Sequence, residues 1–83
     1  MIKIGVCGAL GKMGQEVCRA IINTNDLELT AKIDIAGGEN IYTSLEKAVS
    51  DYKLDIIIDF TRPDVIFENA KFCLNHGIKI VIG

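Results

Sequence analysis

The chain has 83 residues, of which 49% are hydrophobic and 24% charged, and its net charge is -2 at pH 7. This length and composition are typical of one small globular domain or part of a larger one, and they exclude a disordered chain. The charge gives no basic footprint for nucleic acid and no polybasic membrane patch. No apolar run approaches the roughly 20 residues that span a bilayer, and no signal-peptide cleavage site follows the N-terminus, so we expect a cytoplasmic protein.

The first half of the chain alternates between strand-like and helix-like segments. Residues 2–7 (IKIGVC) form an apolar run typical of a buried strand. Apolar residues then recur at helical spacing, which predicts a helix ended by the polar residues 23–26. Its inner face is predicted to carry Met13, Val17, Ala20 and Ile21. Residues 27–34 alternate apolar and polar side chains, which predicts a strand near a sheet edge.

The middle of the chain contains a loop and a short helix. After the loop AGGEN, the segment IYT (41–43) is interpreted as a rudimentary strand. Thr43 and Glu46 have the spacing of a capping box. The inner face of the helix that follows is predicted to carry Leu45, Ala48, Val49 and Tyr52.

The second half predicts a further strand, a helix and a last strand. Residues 55–60 (DIIIDF) form an apolar run flanked by acids, typical of a strand covered on both faces. Pro63 suits the first turn of a helix, and Gly77 suits its C-terminal stop. The buried stripe of this helix is predicted to be Ile66, Ala70, Cys73 and Leu74. The segment IKIVIG at residues 78–83 is predicted to be the last strand.

The predicted order is therefore β-α-β-α-β-α-β, which implies an α/β fold with a parallel sheet and helical crossovers. Strands 2–7 and 55–59 are expected in the centre of the sheet, and strand 27–34 near its edge.

Three cysteines, Cys7, Cys18 and Cys73, lie in otherwise apolar segments. Three is an odd number, and no CxxC or Cys/His spacing suggests zinc. We therefore expect buried small apolar residues and predict no metal site.

The stretch VCGALGKMG places Gly8, Gly11 and Gly14 directly after the first strand. Ligands of doubly wound sheets bind at the carboxyl ends of the strands. Gly8 would permit a sharp exit from the strand, Gly11 would let backbone N–H groups approach a pyrophosphate, and Gly14 would let the helix pack closely. The helix N-terminus offers N–H donors and a positive dipole end to an anion. This context favours nucleotide binding, with a plain strand-to-helix turn as the alternative.

Other phosphate and catalytic loops fit less well. The letters GKM lack the hydroxyl that a Walker A loop needs, and G-x-S-x-G is absent.

Asp34 lies 20 residues beyond Gly14, at the end of the second predicted strand. An acid there can accept hydrogen bonds from the adenosine ribose hydroxyls, and it would repel a 2′-phosphate. Ile35 follows it, rather than an arginine. Lys12 stands beside the diphosphate and could also reach a 2′-phosphate, with a solvated lysine as the alternative. The cofactor indicated is NAD(P)H, with a preference for NADH.

Two stretches, IGVCGALGKMGQEV and DIIIDFTRPDVIFENAKFCLNHGIKIVIG, closely resemble the N-terminal domain of the 4-hydroxy-tetrahydrodipicolinate reductase (dihydrodipicolinate reductase) family of lysine biosynthesis. The resemblance covers most of the chain, and IDFTRP followed by HG and VIG is its most specific part. It implies a Rossmann-type three-layer α/β nucleotide-binding domain, followed in the family by a domain that binds substrate and forms a homotetramer.

The resemblance also implies roles for individual residues. The pyrophosphate would be wrapped by Gly8, Ala9, Leu10, Gly11, Lys12 and Met13. Asp34 would hold the adenosine ribose. Phe60, Thr61 and Arg62 would line the cofactor groove, and Gly83 would begin a loop on the nicotinamide side.

The residues around the second motif leave other interpretations open. Phe60 is also compatible with a core position, Thr61 with a helix cap and Arg62 with a solvated surface charge. Asp59 is interpreted as a structural partner at the strand end, and His76 as a C-terminal cap residue of its helix.

The chain also departs from the family pattern. The segment between Asp34 and Thr43 is shorter than in many relatives, so an edge strand there is expected to be missing or vestigial. Ile35 replaces a basic residue that some members carry. The family's histidine-rich substrate motif is not present in residues 1–83, so no catalytic residue is predicted.

We therefore expect residues 1–83 to be the nucleotide-binding half of the reductase, C-terminally truncated and without the substrate and tetramerisation domain. This fragment would be inactive alone, a monomer or weak dimer, with a small-molecule cofactor as its partner. The alternatives are a stand-alone nucleotide- or CoA-binding sensory module without catalysis, and a purely structural remnant.

Overall fold

A computed structural model describes all 83 residues and contains four strands and three helices. In chain order they are β1 (Ile2–Cys7), α1 (Lys12–Ile22), β2 (Leu27–Ile33), α2 (Leu45–Asp51), β3 (Ile56–Asp59), α3 (Pro63–Asn75) and β4 (Lys79–Ile82). This order confirms the predicted β-α-β-α-β-α-β alternation. None of the three helices is long and apolar enough to cross a membrane.

The four strands form one parallel sheet in the order β2-β1-β3-β4. The predictions that β1 and β3 are central and that β2 lies at an edge are confirmed. The chain moves from β1 to β2 on one side and then returns to β3 on the other, so the strand order reverses beside β1. Cys7 at the end of β1 is paired with Asp59 at the end of β3. A crevice therefore opens at these two carboxyl ends.

The segment 41–43 adds only a trace of a further strand beside β2. Ile33 and Tyr42 form an isolated parallel bridge. Asp34 N donates to Tyr42 O at 2.8 Å, and Tyr42 N donates to Lys32 O at 2.9 Å. The rudimentary strand expected from the sequence is confirmed.

Helices cover both faces of the sheet, so the domain has three layers. Alternate residues of a strand point to opposite faces. On one face α1 packs against a buried cluster comprising Ile4, Val6, Ala9, Cys18 and Ile21. On the other face α2 and α3 pack against a larger cluster comprising Cys7, Ala31, Ile33, Leu45, Ala48, Leu54, Ile57, Cys73 and Ile78.

All three cysteines are free and buried, as predicted. Burial raises the pKa of the Cys7, Cys18 and Cys73 thiols, and the charge of Asp59 raises it further for Cys7 and Cys73. They therefore remain neutral thiols near pH 7 and act as small apolar core residues.

The predicted inner face of α1 is confirmed at Ile21 and in part at Val17, but it is wrong at Met13 and Ala20. Its buried positions are Gly14, Cys18 and Ile21, whereas Met13 is 55% exposed and Ala20 is also exposed. The cause is Gly14, which rests directly on the preceding loop and thereby sets the rotation of the helix. Val17 is half-buried against the α1 cluster.

The predicted capping box of α2 is also wrong. Ser44 is the N-cap, and its Oγ accepts a hydrogen bond from Lys47 N at 3.3 Å. The Oγ1 of Thr43 instead accepts from the Lys47 ammonium at 3.5 Å. Tyr52 was expected on the inner face, but α2 ends before it and its backbone is extended there, so its side chain is 47% exposed. The predicted inner positions Leu45 and Ala48 are buried, and Val49 is half-buried.

In α3, Cys73 is buried and Ile66 and Ala70 are half-buried, but Leu74 is 78% exposed, so its place in the stripe is wrong. The side facing the sheet carries Phe72 and Cys73, which leaves the next residue pointing outward.

The predicted stop of α3 is confirmed at both positions. His76 is the C-cap, its Nδ1 lies 2.8 Å from Phe72 O, and Gly77 follows in the left-handed conformation at φ 67°.

The hydroxyl of Tyr42 donates a hydrogen bond to Asp51 Oδ2 at 2.6 Å, which raises the pKa of Tyr42 to about 12. Because the protonated phenol is favoured in the folded state, this bond stabilises the fold below the ordinary pKa of about 10 and is lost as pH rises through about 12. We predict that Asp51→Asn lowers the pKa of Tyr42 in a Tyr52→Phe background, measured by ultraviolet titration of the phenolate. An unchanged midpoint would contradict the assignment.

Candidate functional site

A cleft of about 820 Å³ opens at the carboxyl ends of the strands, on the face covered by α2 and α3. This volume lies within the usual range of small-molecule and cofactor sites. Six of the residues predicted to bind a cofactor line it: Gly8, Gly11, Asp34, Phe60, Thr61 and Arg62.

Gly8 turns the chain out of β1 and anchors the loop that follows. Its φ is 77°, in the left-handed region, and a Cβ there would lie 3.1 Å from the backbone of Phe60. Gly8 N and Ala9 N both donate to Ile33 O, at 2.9 and 3.2 Å. The glycine loop is therefore fixed to the end of β2 and lies against the end of β3.

Gly14 allows α1 to rest on this loop. A Cβ on Gly14 would lie 2.1 Å from Gly8 O and 2.9 Å from Ala9 Cα, distances that no real side chain tolerates. The fold itself therefore requires glycine at residue 14.

Gly11 is different, because the fold does not require it. Its backbone is extended at φ -71° and ψ 170°, and a Cβ there would meet only Gly8 O, at 3.5 Å, an ordinary contact. Gly11 is the N-cap of α1, a position where the side-chain oxygen of serine, aspartate or asparagine would accept a hydrogen bond from an N–H group of the first turn. The bare backbone at this position lines the cleft.

The N-terminus of α1 has no internal partner for its first N–H groups. No side chain caps it, and its first turn contains no acidic residue. The first hydrogen bond from loop to helix is Gln15 N to Gly11 O at 2.9 Å, so Lys12, Met13 and Gly14 have N–H groups with no acceptor in the protein. Such an end, with its positive partial charge, is suited to an anion.

Asp34 lies on the cleft wall and also supports the loop. Its Oδ2 accepts from Leu10 N and its Oδ1 accepts from Ala36 N, both at 3.0 Å. A carboxylate has about four lone-pair positions, so two remain for hydroxyl donors from a ligand.

Phe60 and Gly83 are brought together at the end of β3. A Cβ on Gly83 would lie 2.1 Å from Phe60 Cε1, and Gly83 N donates to Asp59 O at 3.0 Å. Phe60 also packs against the α1 cluster while lining the cleft. The ring of Phe60 therefore occupies a core position and also forms part of the cleft wall.

Asp59 is fully buried beneath the cleft. Its Oδ1 accepts from both the backbone N and the hydroxyl of Thr61, and its Oδ2 accepts from Asn69 Nδ2 at 2.8 Å. This arrangement agrees with the interpretation of Asp59 as a structural partner. Thr61 does not cap α3, because the N-cap is Arg62 and the Thr61 hydroxyl is used by Asp59.

Asn69 lines the cleft and was not predicted to do so. The sequence does contain a signal for Asn69. It lies four residues before the buried Cys73, so both side chains lie on the inner face of α3.

Several predicted residues do not line the cleft: Ala9, Leu10, Lys12, Met13 and Gly83. Of these, Ala9 is buried under the loop, and the others are exposed. Arg62 lines the cleft but is largely exposed, with an ion pair to Asp64 at 3.6 Å that contributes little in solvent.

The parallel sheet, the helices on both its faces and the glycine loop that leads into an uncapped helix define a Rossmann-type α/β domain. Residues 2–83 match the family model described as "Dihydrodipicolinate reductase, N-terminus". The chain belongs to this family, which confirms the resemblance drawn from the glycine loop and the IDFTRP motif.

Individual relatives agree with the family match. The 4-hydroxy-tetrahydrodipicolinate reductase of Nocardia farcinica is 42% identical over 82 residues, which are 99% of this chain and 30% of the relative. The 4-hydroxy-tetrahydrodipicolinate reductase of Corynebacterium efficiens is 37% identical over 82 residues, which are again 99% of this chain and 30% of the relative. The chain spans about 30% of the length of these curated relatives.

A solved structure also has the same fold. The dipicolinate-bound dihydrodipicolinate reductase from Paenisporosarcina sp. TG-14 is similar with a TM-score of 0.88 and 28% identity. The similarity covers all of this chain and 37% of that one.

The contrast between two glycines is directly testable by urea denaturation. Gly14→Ala is expected to lower the free energy of unfolding by more than about 2 kcal/mol, because its Cβ meets backbone that cannot move away. Gly11→Ala is expected to cost under about 1 kcal/mol, the difference between glycine and alanine at an N-cap. Equal losses for the two variants would contradict the assignment of Gly14 to the fold.

Proposed function

We propose that residues 1–83 form the dinucleotide-binding domain of an NAD(P)H-dependent 4-hydroxy-tetrahydrodipicolinate reductase of lysine biosynthesis via diaminopimelate. The observation that carries this proposal is the bare backbone of Gly11. Gly8 and Gly14 are explained by packing, whereas Gly11 has room for a side chain and an allowed φ. A ligand that must approach the main chain explains why no side chain stands there.

The pyrophosphate of the cofactor would lie at Gly11, where the cleft meets the N-terminus of α1. The free N–H groups of Lys12 and Met13 and the positive end of α1 would hold it, and the Lys12 ammonium adds charge beside it. Gly8 to Met13 would thus wrap the diphosphate by main-chain contacts, with Leu10 held in place by Asp34.

The remaining predicted residues would contact different parts of the cofactor. Asp34 would accept hydrogen bonds from the adenosine ribose. Phe60, Thr61 and Arg62 would line the groove over the end of β3, and Gly83 would lie towards the nicotinamide. Because the Thr61 hydroxyl donates its proton to Asp59, it can only accept from a ligand.

The reduced nicotinamide, when bound, supplies a hydride to the substrate. Residues 1–83 bind and orient the cofactor, and we assign none of them a catalytic role. Hydride transfer requires cofactor and substrate in near-attack geometry, and the substrate-binding part of the enzyme lies in our proposal outside these residues. The 83-residue chain would then bind dinucleotide without turnover, as a monomer or weak dimer in the cytoplasm, while the whole enzyme would be a homotetramer.

The negative charge of Asp34 favours NADH over NADPH. The carboxylate of Asp34 lies on the wall where the ribose would bind, and a 2′-phosphate would face it. Ile35, which is 79% exposed, offers no compensating charge.

Calorimetric titration of the 83-residue chain with NADH tests the proposal. Gly11→Val places a branched side chain where the pyrophosphate would meet the main chain. The variant is expected to bind at least about tenfold more weakly, since each lost charge-assisted hydrogen bond contributes roughly 1.5–3 kcal/mol. Ala20→Val, exposed on α1, is the control and should bind like the wild type. A folded Gly11→Val variant with an unchanged titration curve would overturn the proposal, as would the absence of any heat with the wild type.

The preference for NADH over NADPH can be tested with the variant Asp34→Asn. Asp34→Asn keeps an acceptor for Leu10 but removes a charge worth about 1 kcal/mol at close range in water. The ratio of NADPH to NADH affinity is therefore expected to rise about fivefold. Asp26→Asn changes an exposed acid outside the cleft and should leave the ratio unchanged. A ratio unaffected by Asp34→Asn would remove Asp34 from cofactor selection.

A further inference from the structure

The buried carboxylate of Asp59 constrains the side-chain amide of Asn69. Asp59 has no exposed surface, and its Oδ2 is satisfied by Asn69 Nδ2 at 2.8 Å, while its Oδ1 is satisfied by Thr61. If the amide of Asn69 rotated by half a turn, its carbonyl oxygen would face Oδ2 instead. Two acceptors would then be opposed, and a buried carboxylate oxygen would lose its donor, which is costly. The amide therefore has one favoured orientation.

This orientation decides what Asn69 can offer to a ligand. A primary amide has one carbonyl oxygen and two N–H donors, and one of these donors is used by Asp59. The carbonyl oxygen and the second N–H remain. Asn69 thus has a free acceptor beside a free donor on a half-buried residue of the cleft wall.

Asn69 lines the same cleft as Asp34 and lies on α3 next to the end of β3, where it contacts Asp59. The apolar side chains of Ile35, Val65 and Phe72 also line this cleft. If the ribose binds at Asp34 and the base attached to it extends towards α3, these apolar side chains would face the base and Asn69 would face its edge. This step depends on the proposed function.

We propose that Asn69, held by Asp59, is a specificity-determining residue that selects adenine as the base of the dinucleotide. Adenine presents an amino donor beside a ring-nitrogen acceptor, the pattern that a fixed asparagine amide complements with two hydrogen bonds. Hypoxanthine has the same shape but carries a carbonyl acceptor in place of the amino group. Its carbonyl would face the carbonyl of Asn69, and Asp59 prevents the amide from turning to accommodate it.

Titration of the 83-residue chain with NADH and with reduced nicotinamide hypoxanthine dinucleotide tests this inference. The wild type is expected to bind the hypoxanthine analogue about tenfold more weakly, the discrimination of one good bidentate pair. Asn69→Ala should weaken NADH binding and bring the ratio of the two affinities close to one. Leu74→Ala, an exposed position of the same helix outside the cleft, should keep the wild-type ratio.

The variant Asp59→Asn tests whether Asp59 orients the amide of Asn69 or only stabilises the fold. In Asp59→Asn, the side-chain oxygen at residue 59 stays with the two Thr61 donors, so the new amino group faces Asn69. The amide of Asn69 then turns its carbonyl oxygen towards residue 59, and the ratio should fall to one or below. A purely structural effect would weaken both ligands equally and leave the ratio unchanged. If Asp59→Asn does not fold, as judged by circular dichroism, the Asn69→Ala ratio decides.

Equal binding of NADH and its hypoxanthine analogue by the wild type would overturn the inference alone. An Asn69→Ala ratio that stays at the wild-type value would do the same. Absence of binding of either dinucleotide would instead overturn the proposed function, and this inference with it.

Discussion

The contact on which the site depends is the approach of α1 to the loop in front of it. Only a hydrogen atom fits between Gly14 and the carbonyl of Gly8. This contact fixes the rotation of α1, which buries Cys18 and Ile21 and turns Met13 outward. It also fixes the position of the helix N-terminus, whose unpaired N–H groups follow Gly11, the last residue of the loop that lines the cleft. The packing of the core around α1 and the shape of the glycine loop at the cleft are thus consequences of one close contact.

Two carboxylates at the ends of β2 and β3 hold the loops near this contact by hydrogen bonds. Asp34 at the end of β2 accepts from Leu10 of the glycine loop, and Asp59 at the end of β3 accepts from Thr61 and Asn69. Both carboxylates accept hydrogen bonds from uncharged donors only, and these hydrogen bonds fix the orientation of the surrounding polar groups.

The sequence predicts the features that depend on near neighbours and fails where distant packing decides. The alternation of strands and helices, the central place of β1 and β3 and the stop at Gly77 follow from local patterns, and all are confirmed. The inner faces of α1 and α3 were misplaced at Met13 and Leu74. In α1 the contact of Gly14 with the carbonyl of Gly8 sets the rotation of the helix, and in α3 Phe72 and Cys73 face the sheet. Asn69 was missed as a cleft residue because the hydrogen bond that holds its side chain is made with Asp59, ten residues away. The predicted roles of Gly8 in the turn and of Gly14 in close packing are confirmed, whereas the role of Gly11 in binding stays a prediction. Only the structure shows that packing does not require glycine at residue 11.

The central claim is that main-chain N–H groups at the start of α1 bind the diphosphate, and amide correlation spectra of isotope-labelled protein test it most directly. Titration with NADH should shift the backbone amide signals of Lys12 and Met13 downfield, as expected for new hydrogen bonds to phosphate oxygens, and the same signals should respond to inorganic pyrophosphate. If NADH binds while these two amides keep their positions and others shift, the diphosphate is held elsewhere and the account is wrong.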